Sequence, residues 1–120
     1  MEKDKIFDAV KVAYSAIDDK MGLDITVMDI TEISPIADYF IIASAKNSSQ
    51  LKAIADSVEE QLYKNCNIEK IHMEGLQTKS WILLDFNHFI VHLFNQEDRE
   101  FYNLERIWAD AKFIENDVFK

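Results

Sequence analysis

The most regular hydrophobic pattern in the chain lies between residues 81 and 94, where two apolar runs flank two polar residues. The runs Trp81-Ile-Leu-Leu-Asp-Phe86 and Phe89-Ile-Val-His-Leu-Phe94 are rich in β-branched and aromatic residues, which favour strands. Asn87 and His88 between them are residue types that tolerate positive φ. The pattern therefore predicts a β-hairpin with a two-residue loop.

A two-residue loop also fixes which residues lie opposite one another, and opposed residues share a face of the sheet. One face is wholly apolar and is predicted to be core: Ile82, Leu84, Phe86, Phe89, Val91 and Leu93. The other face combines aromatic residues with an acid and a histidine: Trp81, Leu83, Asp85, Ile90, His92 and Phe94. This mixed face is either covered by a helix or free to bind a partner, and the pattern leaves both alternatives open.

The remaining hydrophobic periodicity predicts helices and strands in alternation. Helical spacing covers residues 3–21, 51–64 and 96–108, with Asn47 and Gln50 forming a capping box before the second helix. Strand patterns cover residues 23–30, 37–44 and 68–73, and the second of these is apolar enough to be central. We therefore predict one small α/β domain with a mixed sheet of about five strands and helices packed on it.

Composition narrows the class of protein further. At 120 residues, of which 48% are hydrophobic and only 2 are glycine and 1 proline, the chain suits one ordered domain without linkers. Cys66 is the single cysteine, so an internal disulfide is impossible, and no leader pattern opens the sequence. No apolar run approaches the ~20 residues of a membrane span. We therefore expect a cytoplasmic protein without membrane contact.

The net charge of -9 comes from 13 basic and 22 acidic residues, with the basic residues scattered. This distribution argues against direct nucleic-acid binding as the main contact, because phosphate contacts supply most of that affinity. It favours a basic protein partner, although acidity for solubility alone is an equally good explanation.

The sequence contains few features of a catalytic site. The 2 glycines cannot form a phosphate-binding loop, and Cys66 is best explained as a structural thiol. His72, His88 and His92 do not form a zinc set, since His88 lies in the predicted turn. We therefore predict no metal, no cofactor and no enzymatic activity. The alternative is a metal-dependent transferase that would use carboxylates on different strands, for which the candidates are Asp29, Asp38 and Asp85.

Several motifs resemble the ribosomal silencing factor family, RsfS or Iojap-related. They include Ile36-Ala-Asp-Tyr-Phe-Ile-Ile-Ala-Ser44, Glu74-Gly-Leu76 and, above all, Arg99-Glu-Phe-Tyr-Asn-Leu-Glu-Arg-Ile-Trp108. The resemblance assigns residues 1–111 to the family domain and leaves residues 112–120 as a tail that is expected to fray. It implies a topology similar to the nucleotidyltransferase fold but without that fold's catalytic acids. The chain departs from the family's glycines at Ala45 and Ala109, and from its usual hairpin turn at Asn87-His88.

The resemblance also implies a function. A member of this family is expected to bind the large ribosomal subunit through ribosomal protein fourteen and to block subunit joining when nutrients are short. A divergent nucleotidyltransferase-like enzyme remains the alternative, and the free protein is expected to form a homodimer. Among the residues that match the family motifs, we predict partner-binding roles for six and a core position for Trp108; the six are Trp81, Asp85, His92, Arg99, Tyr102 and Glu105.

Overall fold

A mixed sheet of six strands runs through the middle of the molecule. The strands are β1 (Leu23–Asp29), β2 (Tyr39–Ala45), β3 (His72–Glu74), β4 (Trp81–Asp85), β5 (Phe89–Asn95) and β6 (Lys112–Ile114), in the spatial order β3-β4-β5-β2-β1-β6. The helices are α1 (Lys3–Asp19), α2 (Ser48–Cys66), α3 (Gln96–Tyr102) and α4 (Leu104–Ile107), followed by a 3-10 turn at Asn116–Phe119.

The structure is a computed structural model that describes residues 2–77, 80–102 and 104–119. The side chains of residues 100–102, 104 and 107 lie outside that description. Within the described part, every helix is too short or too polar to cross a membrane.

The centre of the sheet confirms the predicted mixed α/β architecture. All seven residues of β2 are buried, because β2 has neighbours on both edges and helices over both faces. It runs parallel to β5 and antiparallel to β1. The prediction that this segment is the central strand is therefore confirmed.

The predicted hairpin is also confirmed, with the predicted register. Leu84 pairs with Val91 and Leu83 pairs with His92, and Asn87 adopts a φ of 77° in the turn. The six residues predicted as the apolar face are all buried. This face joins α1 and α2 in one continuous core.

The two long helices pack against each other on that face. Asn47 Oδ1 accepts a hydrogen bond from the Gln50 backbone N–H at 2.8 Å and caps α2, as predicted. The Gln50 side-chain amide donates to the carbonyls of Lys20 and Met21 and so caps the end of α1 as well. Met21 itself is 73% exposed with a φ of 63°, so its predicted place in the buried helix stripe was wrong.

The opposite face of the sheet is only partly covered. A second apolar cluster lies over β1, β2 and β5 and consists of Met28, Ile30, Ala37, Phe40, Ile42, Ile90, Phe94 and Ala111. Trp108 packs against it, with its ring in an edge-on contact 5.3 Å from that of Phe40. The predicted core position of Trp108 is thus confirmed. On the same face the side chains of β3 and β4 are half-buried or exposed.

The C-terminal part agrees with the sequence prediction in one respect and differs from it in another. The helix expected as far as Trp108 is present at Gln96–Tyr102 and Leu104–Ile107. The segment expected to fray forms β6, which pairs antiparallel with β1, and Phe119 stacks on Tyr14 at 4.6 Å. The sheet therefore has six strands rather than about five, because residues 112–114 obtain their strand structure from the edge of β1 rather than from their own pattern.

Candidate partner-binding surface

The uncovered part of the mixed face is the best candidate for a binding surface, and we call it the open face. Because opposed residues share a face, the pairing of β3 with β4 places His72 beside Asp85 and Glu74 beside Leu83. The open face comprises these four residues and Trp81. Its β4 members are half-buried and its β3 members are exposed, so an aromatic and an aliphatic side chain are bordered by charged groups, as in an interface with an apolar centre and a polar rim.

Trp81 is held from two directions. Its indole stacks on Phe94 with ring centroids 4.9 Å apart, and its Nε1–H donates to Nδ1 of His92 at 3.2 Å. His92 is 4% exposed, and burial lowers the pKa of its imidazole to about 4. His92 therefore lies behind Trp81, where it has almost no surface for a direct partner contact.

Asp85 stabilises the turn at the end of β4. Its Oδ1 accepts a hydrogen bond from the Asn87 backbone N–H at 2.8 Å, which stabilises the turn in the way that Asx turns do. Asp85 also lies next to the exposed His72, whose Nε2 is 3.0 Å from Glu74 Oε1. The carboxylate thus supports the hairpin and contributes charge to the rim of the open face.

Arg99 and Glu105 form a separate group on the covered part of the face. Arg99 Nη1 donates to Ser44 Oγ at 3.1 Å and to the Leu23 carbonyl at 3.3 Å, while Nη2 donates to Thr26 Oγ1 at 3.1 Å and to Glu105 Oε2 at 3.3 Å. The Arg99 side chain is only 11% exposed. These contacts fasten α3 and α4 to β1 and β2, so Arg99 acts chiefly as a structural clamp.

The six residues predicted for partner binding are therefore only partly brought together. Trp81 and His92 touch, Asp85 lies on the same side of the hairpin, and Arg99 pairs with Glu105 in the second group. The side chain of Tyr102 lies outside the described residues. Of the six, Trp81 and Asp85 lie on the open face.

Of the three carboxylates proposed for the transferase alternative, Asp29 and Asp85 each serve a local turn, and Asp38 Oδ2 lies 4.0 Å from His88 Nδ1. Asp29 Oδ1 accepts hydrogen bonds from the backbone N–H and the hydroxyl of Thr31. Asp85 is separated from Asp29 by the two intervening strands, which corresponds to about 14 Å between their backbones. Among the described residues no group of three or more His, Cys, Asp and Glu side chains could hold a metal ion. Burial raises the pKa of the Cys66 thiol, which disfavours the reactive thiolate.

Comparison with known proteins places this geometry in a family. The family model described as "Ribosomal silencing factor during starvation", RsfS, matches residues 3–120. The chain belongs to the RsfS family. The ribosomal silencing factor RsfS of Bacillus subtilis is 38% identical over 108 residues, which cover 90% of this chain and 91% of the relative.

Similarity extends to a mouse protein in sequence and to a solved bacterial structure in sequence and fold. The mouse protein named mitochondrial assembly of ribosomal large subunit protein 1 is 26% identical over 107 residues, which cover 87% of this chain and 46% of the relative. A crystal structure of a Chromobacterium violaceum protein superposes with a TM-score of 0.83 at 29% identity, covering 91% of this chain and 88% of that one. The family resemblance inferred from the motifs and the predicted α/β fold are confirmed.

Within this RsfS-family chain, sequence reasoning missed part of the candidate surface. His72 and Glu74 join the open face only because β3 pairs with β4. The alternation of β4 already marked Leu83 as a member of the mixed face, and the exposed pattern of the short segment before Gly75 was the available signal for the other two. The polar partners of Arg99 had no such signal, since Leu23 and Ser44 are distant in sequence.

Proposed function

We propose that this protein silences ribosomes by binding the large subunit through ribosomal protein fourteen and so preventing the small subunit from joining when nutrients are limiting. The observation that carries the proposal is the match of residues 3–120 to a family described as silencing factors during starvation. The mouse relative is named for assembly of the large ribosomal subunit, which supports the large subunit as the partner.

The open face supplies a suitable contact. Trp81 is an aromatic residue already fixed in place, and aromatic residues in desolvated pockets dominate interface energy. Leu83 adds apolar area beside it, while Asp85 and Glu74 provide acceptors for basic side chains. Arg99 and Glu105 contribute indirectly, because they hold the covering helices beside this surface.

The charge of the whole molecule suits a basic partner. The net charge of -9 favours approach to a basic ribosomal protein and disfavours direct contact with RNA phosphates. A bound domain would exclude the small subunit simply by occupying surface that the joined subunits share. Silencing by this route requires neither nucleotide nor turnover.

Two further parts of the proposal concern the free protein. We expect it in the cytoplasm, where the ribosomes are, and we expect self-association through the open face when no ribosome is available. Light scattering at high micromolar concentration should then give the mass of a dimer. A monomeric mass would refute the homodimer but not the silencing function.

Co-sedimentation with isolated ribosomal subunits tests the central claim. The protein should pellet with large subunits, not with small ones, and should inhibit subunit joining without added nucleotide. Leu83→Lys should abolish pelleting, because it places a positive charge on the open face before a basic partner. Met21→Lys is the matched control, since Met21 is 73% exposed and lies outside the open face. Equal binding by both variants would exclude the open face, and absence of wild-type binding would refute the function.

A further inference from the structure

His92 combines deep burial with an incomplete set of hydrogen bonds. It is 4% exposed, and its Nε2 has no hydrogen-bond partner among the described residues. Its ring meets that of Phe40 edge-on at 4.7 Å. A buried polar atom without a partner costs stability, so an apolar residue would pack this position better. The position therefore calls for an explanation other than packing.

The hydrogen bond that the His92 side chain makes to Trp81 supplies that explanation. An indole N–H can only donate, so the contact from Trp81 Nε1 to His92 Nδ1 at 3.2 Å requires Nδ1 to be an unprotonated acceptor. The imidazole is then neutral and carries its proton on Nε2. His92 thus presents one fixed acceptor to Trp81 from inside the sheet.

His92 Nδ1 and Phe94 together fix the orientation of the Trp81 indole. Stacking on Phe94 at 4.9 Å with an interplanar angle of 29° fixes the plane of the Trp81 ring but still permits sliding and flipping within that plane. The hydrogen bond to His92 selects one in-plane orientation. A partner that meets a fixed side chain avoids the entropy cost of ordering it on binding.

We propose that His92 is a positioning residue that holds Trp81 in the orientation required by the partner. This inference rests on the proposed function, because it takes Trp81 to be the anchor that contacts the large subunit. His92 itself touches no partner. Its effect on binding must therefore pass through the indole N–H of Trp81.

A matched pair of substitutions separates positioning from packing. Asparagine and leucine have similar size and branching, but only asparagine offers an acceptor near the position of Nδ1. His92→Asn should bind large subunits within about threefold of wild type, whereas His92→Leu should bind roughly fivefold to tenfold more weakly, as expected for loss of one hydrogen bond. Thermal stability should follow the opposite order, because the leucine side chain itself brings no polar atom into the buried position.

The dependence on Trp81 provides the control. In a Trp81→Phe background, which lacks the indole N–H, the difference in binding between His92→Asn and His92→Leu should disappear. In the free protein, the Trp81 indole proton should exchange slowly with solvent in wild type and His92→Asn but rapidly in His92→Leu, as measured by NMR.

Several outcomes would overturn the inference. Binding by His92→Leu that equals that of His92→Asn, or an Asn–Leu difference that persists with Trp81→Phe, would show that His92 does not act through the indole. If wild type binds large subunits and the pair does not differ, only the positioning role fails. If wild type does not bind, the proposed function fails and the inference with it. Should His92→Leu not fold, His92→Phe, which also lacks an acceptor, takes its place with the same expected loss.

Discussion

Leu84 is a residue whose contribution to the free energy of unfolding depends on the register of the hairpin. It is fully buried and lies opposite Val91 on the face that packs against α2. We predict that Leu84→Ala lowers the free energy of unfolding by about 2 to 5 kcal/mol, because it removes apolar contacts and leaves a cavity. Urea denaturation measures this loss. A change below about 1 kcal/mol would mean that the site collapses without cost.

His92 makes stability depend on pH. Burial lowers the pKa of His92 to about 4 from its usual 6.5, so the unfolded chain binds more protons than the folded protein between these values. Stability must therefore fall as pH is lowered through this interval, by up to about 1.4 kcal/mol per pH unit. We predict that wild type loses about 2 kcal/mol more than His92→Asn between pH 7 and pH 5 in urea unfolding. Parallel pH profiles for the two proteins would contradict this.

Individual residues differ in how far their roles could be predicted from sequence. The faces of Leu84 and Trp81 follow from alternation and a two-residue turn, which are local. The clamp formed by Arg99 does not, because its acceptors at Leu23 and Ser44 come from strands far away in the chain. The division of the mixed face into a covered and an open part likewise depends on where α3 lies, which no local pattern specifies.

The turn after β3 constrains the open face through Gly75. Gly75 has a φ of 87°, and a Cβ atom there would lie 1.7 Å from the Trp81 carbonyl oxygen. Because that atom is backbone, Gly75→Ala must displace β3 from β4. We predict a loss of about 1 to 3 kcal/mol in stability and weaker binding to large subunits, measured by urea unfolding and co-sedimentation.

Gly22→Ala is the control for this prediction. Its Cβ atom would meet Ile17 Cγ2 at 2.3 Å, so it should also lower stability, but at the end of α1. Binding measured well below both unfolding midpoints should be normal for Gly22→Ala. Equal binding by the two alanine variants would show that the junction of β3 and β4 does not shape the surface.

Elements with their own periodicity were predictable, and elements that depend on a neighbour were not. α1 and α2 have apolar stripes at helical spacing, and the residues of β4 alternate between the apolar and the mixed face of the hairpin. The sequence alone therefore indicates these three elements. β6 has only three residues and gains its hydrogen bonds from β1, so it had no pattern to detect. The end of α2 was predicted too early, at residue 64, since the helix continues to Cys66 and stops at Asn67, which has a left-handed conformation.

The charge of the whole molecule determines how it should respond to salt. With a net charge of -9, attraction to a basic partner acts mainly during approach, while packed aromatic contacts determine the lifetime of the complex. We predict that raising salt from about 0.02 M to about 0.3 M slows association with large subunits by roughly tenfold or more. Dissociation should change much less. Surface plasmon resonance measures both rates. A dissociation rate that changes more than the association rate would mean that charge governs the lifetime of the complex.

The parallel pairing of β2 with β5 has a consequence for how the chain folds. Tyr39 faces Phe89, about fifty positions later, so the centre of the sheet has a high contact order. The β4–β5 hairpin joins neighbours and closes within about 1 to 10 μs, whereas the central pairing must first close a loop that contains α2, β3 and β4. Since each doubling of loop length adds only about 0.6 kcal/mol of closure entropy, lengthening the connection between β3 and β4 slows this step only slightly.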